Sequence, residues 1–450
     1  MTAREIAHRT GGEVVGDPDA VVTSWAFDSR DLAAGAGFVA LMGERDGHDF
    51  VEDAFRAGAR VALVRRVSVD GAGTYVRVAD PLAALQALAR GVRQERTALR
   101  VVGVAGSTGK TSTKDLLAGA LASCAVHANP ESYNNEFGLP IALLNAGPAV
   151  DIVVAEMGER FPGDVAALSE IARPHVGIVT NVGLAHAEHL GGLSGAAAAF
   201  AELLDALPAT GYAVLNADDE HTALLAPQTS ATVVTVGYAQ GANVRITDVT
   251  VADDLRTAFT LDGHRFELPL RGIHQVQNAA LAAVVAHAAF GVDWVDIATG
   301  LRSARASRWR MEVAERRDGA VVLNDAYNAN PDSMDAALHA LVHLPAPGRR
   351  IAILGDMREL GEYSAAAHER VGTRAVELGV DVVVGVGHGG AIIADAARAG
   401  GIEGHTAATA ADAQALASKL VGPGDAVLVK ASRALGLQTV AHALLQEGAS

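Results

Sequence analysis

The sequence predicts an α/β protein of three domains, with a central parallel-sheet domain that carries a P-loop and a C-terminal Rossmann-like domain. Three observations carry that expectation. Short apolar runs alternate with longer Ala- and Leu-rich runs, the pattern of parallel strands joined by crossover helices. The stretch VVGVAGSTGKTSTK at 101–114 sets an apolar strand, a glycine-rich turn and a helix-like run in succession. The 450 residues are 50% apolar and 20% charged, enough to bury large cores, and a chain of this length divides into roughly three domains.

The first unit is expected over residues 1–98. Thr2–Arg9 reads as a short amphipathic helix, Val21–Phe27 and Gly37–Met42 as strands, and Val51–Gly58 as a helix. Val61–Val64 is a strand and Pro81–Gln94 a helix that runs to the boundary. Polar residues stand in this apolar frame at Ser29-Arg30 and across Arg45–Asp49. They are either a binding surface or turns with solvated charges.

The second unit is expected over 99–304. In the turn Gly106-Ser107-Thr108-Gly109, backbone N–H groups converge as phosphate donors. Lys110 is placed to reach β- and γ-phosphates, and the Thr111 hydroxyl, next to Ser112, to hold Mg²⁺. Val104 stands where the longer form of this motif has glycine, so the form present is G-x-x-G-K-T. Asp151–Ala155 and Val176–Thr180 are strands that end in Glu156 and in the run leading to His186. Ligands collect at the carboxyl ends of such strands, so both are candidate metal ligands. The plainer readings are a helix N-terminal acid for Glu156 and a hydrogen-bonded structural histidine for His186. Tyr212–Asn216 is a further strand, and period-two alternation over 231–270 predicts an antiparallel insertion or flank. Asn278 opens an Ala-rich helix over 279–290, as an N-cap or as a partner for a purine edge.

The Arg-rich Ser303–Met311 segment links to the last unit, expected over 305–450. Its strands, Ala320–Leu323, Ile351–Leu354, Val380–Val386 and Ala426–Val429, end in polar clusters, which predicts a second ligand surface.

A formal charge of −16 argues against general nucleic-acid binding and against anionic membrane surfaces. Cys124, the single cysteine, leaves no internal disulfide and no cysteine zinc site. The charged start, MTAREIAHRTGG, is unlike a signal peptide. No uncharged apolar run approaches the ~20 residues needed to span a bilayer. A cytoplasmic protein is expected.

Taken together, the motifs resemble the Mur ligases, the ATP-dependent amide-forming enzymes of peptidoglycan synthesis. The resemblance runs through DSR at 28–30, GERDGHDF at 43–50, GSTGKTSTK at 106–114 and NNEFGLP at 134–140. It continues through NVGLAHAE at 181–188, LNADD at 215–219, SRWRME at 307–312, NDAYNANPDSM at 324–334, LGDMRELGEYS at 354–364 and VKASR at 429–433. Within the family, the motifs are most similar to those of members that join D-alanyl-D-alanine to UDP-N-acetylmuramoyl-tripeptide through an acyl phosphate. The resemblance implies a three-domain monomer that uses ATP and Mg²⁺. It implies that Ser29, Arg30, Asp46 and His48 contact the UDP-linked substrate, and that Asn134 and Asn135 line the acceptor carboxylate. Residues Gly106 to Ser112 would hold the nucleotide phosphates, with Thr111, Glu156 and His186 on Mg²⁺ and with His274 and Asn278 beside adenine. Lys110, Glu156, His186, Arg310 and Asp325 would be the catalytic set, Arg310 and Asp325 also touching ATP. Tyr327, Asn328, Asn330 and Arg433 would receive the dipeptide.

The chain departs from the family at one position. Phe200, aligned on Glu202, stands where the family has a lysine that is commonly carbamylated and helps place a second Mg²⁺. Three readings stay open: a ligase with one Mg²⁺ or another acid in that role, a paralogue with a different carboxylate and amine, or a nucleotide-binding homologue without turnover.

Overall fold

Three sheets of five, nine and six strands organise the computed structural model, which describes residues 1–67 and 73–447. The first sheet contains β1 (Glu13–Val15), β2 (Trp25–Ala26), β3 (Gly37–Val39), β4 (Val61–Val64) and β5 (Thr74–Arg77), in the order β1-β5-β4-β3-β2. Only β1 runs antiparallel to its neighbour. The expected strand at Val21–Phe27 shortens to β2, because Val21 instead bridges back to Thr2. Helix Ala3–Thr10 begins on a capping box in which Thr2 and Glu5 each satisfy the other's backbone N–H. Helix Pro81–Glu95 begins where Asp80 accepts from Leu82 and Ala83 N–H and Pro81 supplies a preset φ. Ile6, Val39, Leu63, Val76, Leu85 and Leu88 fill the core between these helices and the sheet.

The second sheet contains β6 (Arg100–Ala105), β7 (Val126–Ala128), β8 (Ile152–Glu156), β9 (Val176–Val179), β10 (Tyr212–Asn216), β11 (Thr232–Gly237), β12 (Val244–Val251), β13 (Arg256–Leu261) and β14 (His264–Arg271). Their order is β14-β13-β12-β11-β10-β9-β6-β8-β7. The antiparallel insertion or flank predicted over 231–270 is present as a flank from β12 onwards. β12, β13 and β14 pair antiparallel, but β11 pairs parallel to β10 and extends the parallel sheet. Alternation in VVTV fits either direction, and the short helices between β10 and β11 supply the crossover that parallel pairing needs.

The third sheet contains β15 (Glu312–Glu315), β16 (Val321–Asn324), β17 (Arg350–Gly355), β18 (Val382–Val386), β19 (Glu403–Ala407) and β20 (Ala426–Lys430), in the order β15-β16-β20-β17-β18-β19. All pairs are parallel except β15 with β16. Alternate residues serve opposite faces, and both faces are apolar. Leu323, Leu354 and Leu428 join one core, and Val322, Ile353 and Val427 the other.

The described chain divides into two compact units. One comprises Met1–Gly103, Cys124–Gly158 and Gly163–His175; the other comprises Val104–Ser123, Glu159–Pro162 and Val176–Ser450. Within the first, buried Arg93 donates to the carbonyls of Ala172 at 2.8 Å, Arg173 at 3.1 Å and Arg96 at 3.1 Å. It thereby satisfies the orphan carbonyls at the end of helix Asp164–Ala172. Among the described residues, no helix is long and apolar enough to cross a membrane.

Candidate active site

The glycine-rich turn between β6 and helix Lys110–Ala120 is gripped by the carboxyl end of β9. Two glycines are sterically required there. A Cβ on Gly106, whose φ is +132°, would lie 2.0 Å from Thr180 Oγ1; one on Gly109, φ +79°, would lie 2.5 Å from Asn278 Oδ1. Thr180 Oγ1 donates to the Thr108 carbonyl at 2.5 Å, and Asn181 Oδ1 accepts from Thr108 N–H at 2.8 Å. Ser107 Oγ accepts from Gly183 N–H at 2.7 Å. The helix starts at Lys110, so Lys110, Thr111 and Ser112 all lie in its first turn. Lys110 Nζ donates to Glu159 Oε1 at 2.8 Å and to the Gly106 carbonyl.

The segment after helix Trp294–Ser303 carries the next group of residues. Asp115, on the P-loop helix, accepts from the Ser307 backbone at 2.9 Å and hydroxyl at 2.7 Å, which fixes the start of the linker. Three residues on, Arg310 Nη2 donates to Thr111 Oγ1 at 2.8 Å, and its guanidinium lies 4.3 Å from the Tyr327 ring centroid. Asp325 accepts from Met311 N–H at 3.1 Å and from Lys430 Nζ at 2.5 Å, and Lys430 also donates to the Asn328 carbonyl at 2.8 Å. Arg433 stacks 3.9 Å from the centroid of Trp309. Asn330 caps helix Pro331–His343 and donates to the Ser107 carbonyl at 3.3 Å.

His186 has a left-handed φ of +54°, and its Nδ1 meets Glu359. Burial, and then the charge of Lys110, hold its imidazole below the ordinary pKa. His274 is half-buried, and loss of hydration pushes its imidazole down to about 4. Both therefore stay neutral near pH 7, with a ring nitrogen free of its proton. Asn278 does not open the Ala-rich helix. That helix runs Ile273-capped from His274 to Phe290, and Asn278 sits in its second turn, donating to Gln275 Oε1 at 3.1 Å and packing on Gly109.

The remaining expected residues belong to the first unit. Glu156 closes β8 and is 2% exposed. Its Oε1 accepts from Asn134 Nδ2 at 2.7 Å, while its buried Oε2 has no hydrogen-bond partner. Asn135 Oδ1 accepts from the N–H of Gly138, the first residue of the following helix, at 3.0 Å. Arg30 lies on Asp28 at 2.6 Å and is 81% exposed, beside Ser29. Asp46 accepts from His48 N–H at 2.9 Å and Nδ1 at 2.7 Å, and from Arg66 at 2.8 Å.

Two family models match the chain: the Mur ligase middle domain over residues 104–286 and the Mur ligase glutamate ligase domain over 309–433. A UDP-N-acetylmuramoyl-tripeptide–D-alanyl-D-alanine ligase of Mycobacterium tuberculosis is 41% identical, over 99% of this chain and 98% of that one. The chain belongs to the Mur ligase family. The enzyme of the same name from Escherichia coli is 34% identical, over 100% of this chain and 99% of its own. Crystal structures of MurF from Acinetobacter baumannii and of MurF from Thermotoga maritima in complex with ADP superpose with TM-scores of 0.86 and 0.78. They are 30% and 29% identical, covering 99% and 96% of this chain and 98% and 99% of theirs.

In this Mur ligase the second unit brings together Lys110, Thr111, Asn278, Arg310, Asp325, Tyr327, Asn330 and, through Lys110's field, His186. Ser29, Arg30, Asp46, His48, Asn134, Asn135 and Glu156 lie in the first unit. Sequence reasoning did not single out Glu159, Lys430 or Glu359. Lys430 and Glu359 stand inside quoted motifs, and Glu159 directly follows Glu156-Met157-Gly158. Phe200 is fully buried in helix Leu193–Asp205 and has joined the apolar core. Of the expected Mg²⁺ ligands, the Thr111 hydroxyl and the His186 imidazole lie in the second unit, and Glu156, with a buried carboxylate oxygen that has no hydrogen-bond partner, lies in the first. Mg²⁺ keeps several waters and takes few protein ligands. Accordingly, no group of three or more His, Cys, Asp or Glu side chains forms a ready cation cage among the described residues.

Proposed function

We propose that this Mur ligase joins D-alanyl-D-alanine to UDP-N-acetylmuramoyl-tripeptide, with conversion of ATP to ADP and phosphate, in cytoplasmic peptidoglycan precursor synthesis. The observation that carries the reading is the end-to-end match, at 41% identity, to an enzyme of that name. The P-loop geometry supports the nucleotide part.

The peptide's terminal carboxylate is a poor acyl donor. Its oxygen attacks the γ-phosphorus of ATP, ADP leaves, and an acyl phosphate forms. The dipeptide amine then attacks the acyl carbon, loses a proton, and phosphate departs. The first step brings two anions together, so the site must neutralise charge on the transferring phosphoryl group. Lys110 and Arg310 supply two fixed positive charges, on the P-loop and across it at Thr111. Thr111, Glu156 and His186 would hold Mg²⁺, which when bound neutralises phosphate oxygens. Tyr327 and Lys430 hold Arg310 and Asp325 in place. Water would hydrolyse the acyl phosphate, so late closure by the C-terminal residues is expected.

The test is phosphate release measured over a panel of UDP-muramyl peptides and dipeptides. Release that requires both the tripeptide and D-alanyl-D-alanine is expected; ATP binding without dipeptide-dependent release would sink the proposal. Because Phe200 cannot carry a carbamate, activity is also expected to be indifferent to bicarbonate. A bicarbonate requirement in wild type would show that a carbamate forms elsewhere.

A further inference from the structure

The motif at 354–364 contains a residue that the nucleotide reading leaves unused. Glu359 follows β17, before helix Ser364–Glu377. Its carboxylate is shared: Oε2 meets His186 Nδ1, and Oε1 meets Arg160 Nη2 at 2.8 Å. Its carbonyl accepts from Glu188 N–H at 3.0 Å. Glu359 and His186 both hold left-handed backbone, with φ of +62° and +54°. A non-glycine residue pays for that conformation, so it persists only where its surroundings over-determine it. Here the two turns are keyed together. Gly361 packs on Glu188 so closely that a Cβ would come within 3.1 Å of the Glu188 Cα.

An imidazole whose Nδ1 faces a carboxylate keeps its proton on that nitrogen and presents Nε2 as a lone pair. That is the tautomer a cation requires, and the carboxylate also fixes the ring's orientation. We infer that Glu359 is the positioning residue of His186, setting its tautomer and aim for cation binding. The partner comes from the third sheet's side of the chain, 173 residues away, so the cation ligand is completed only when that segment is packed in place. The inference rests on the reading of His186 as a Mg²⁺ ligand.

The experiment uses Mn²⁺ as probe, with binding to the ADP-saturated full chain followed by electron paramagnetic resonance. ADP affinity without metal is measured in parallel. Glu359→Ala is expected to weaken Mn²⁺ binding by about 10- to 100-fold while leaving metal-free ADP affinity within about twofold. Glu359→Gln keeps the size and an acceptor oxygen, guards against a folding failure, and is expected to recover part of the loss. The double variant with His186→Ala should bind Mn²⁺ no more weakly than His186→Ala alone, since both changes act through one ligand. Wild-type Mn²⁺ affinity in both Glu359 variants, with a loss in His186→Ala, would overturn the inference and leave His186 as a ligand. Wild-type affinity in His186→Ala would overturn the ligand reading and this inference with it.

Discussion

The P-loop and the Ser29–His48 region are both candidate binding surfaces, but they are held in different ways. The P-loop is fixed from far along the chain: Thr180, Asn181 and Gly183 grip it from 72 to 76 residues away, and Arg310 from 199. Ser107, Thr111 and Ser112 are buried, and its glycines admit no side chain. In the other region the ties are shorter in sequence: Arg30 to Asp28 and His48 to Asp46 two residues away, and Arg65 and Arg66 to His48 and Asp46 from 17 and 20, while Arg30 stays largely in solvent. A phosphate cradle has to stand ready in one shape, because its rate advantage comes from groups that need no rearrangement. A surface held by local turns can adapt to a larger substrate at little cost to the fold.

Breaking the rigid side should cost most. Lys110→Ala is expected to lower kcat by about 10³-fold, read as dipeptide-dependent ADP formation. Next, Lys430→Met strips the buried partner from Asp325 and should destabilise the fold by about 3 kcal/mol or more, read from denaturant midpoints. His274 adds a pH signature to the same side. Loss of hydration lowers its pKa from 6.5 to about 4. The unfolded chain therefore takes up a proton below about pH 6.5 that the folded chain refuses until about pH 4. Stability should fall as pH drops through that window and level off below it, by on the order of 3 kcal/mol. His274→Gln should flatten this part of the profile.

The adaptable side should barely notice. Arg30→Ala is expected to leave stability at pH 7 almost unchanged, yet to raise KM for the UDP-linked substrate with little change in kcat. Arg30 holds the Asp28 carboxyl down from 3.8 to about 2. Its small contribution is complete above the ordinary carboxylate range and disappears as pH falls towards 2. The variant should lose that dependence. A large stability loss in Arg30→Ala would erase the contrast between the regions.

What could be read from sequence follows the same division. The strand–turn–helix at 101–114, the carboxyl-end Glu156 and His186, and most buried strands are local signals, and all lie in the expected kinds of element. Edge strands β1, β7, β15 and β19 were missed: they are short and half exposed, so neither continuous apolarity nor alternation marks them. Asn278 was misplaced because Ile273 and His274 continue the helix with no N-terminal signal of their own. The pairs Lys430–Asp325 and Glu359–His186, 105 and 173 residues apart, leave no local trace. Nor does Arg93, whose role depends on carbonyls at Ala172 and Arg173 that the sequence shows only as a helix end.

The contact between Lys110 and Glu159 bears on how a nucleotide comes and goes. A phosphate that recruits Lys110 takes it from a buried carboxylate and a loop carbonyl that already satisfy it. Affinity at this point is thus the difference between two ion pairs, smaller than either alone. The same exchange runs backwards as ADP departs. The lysine changes partners instead of losing one, and a strong phosphate grip in the reaction can coexist with ready release afterwards.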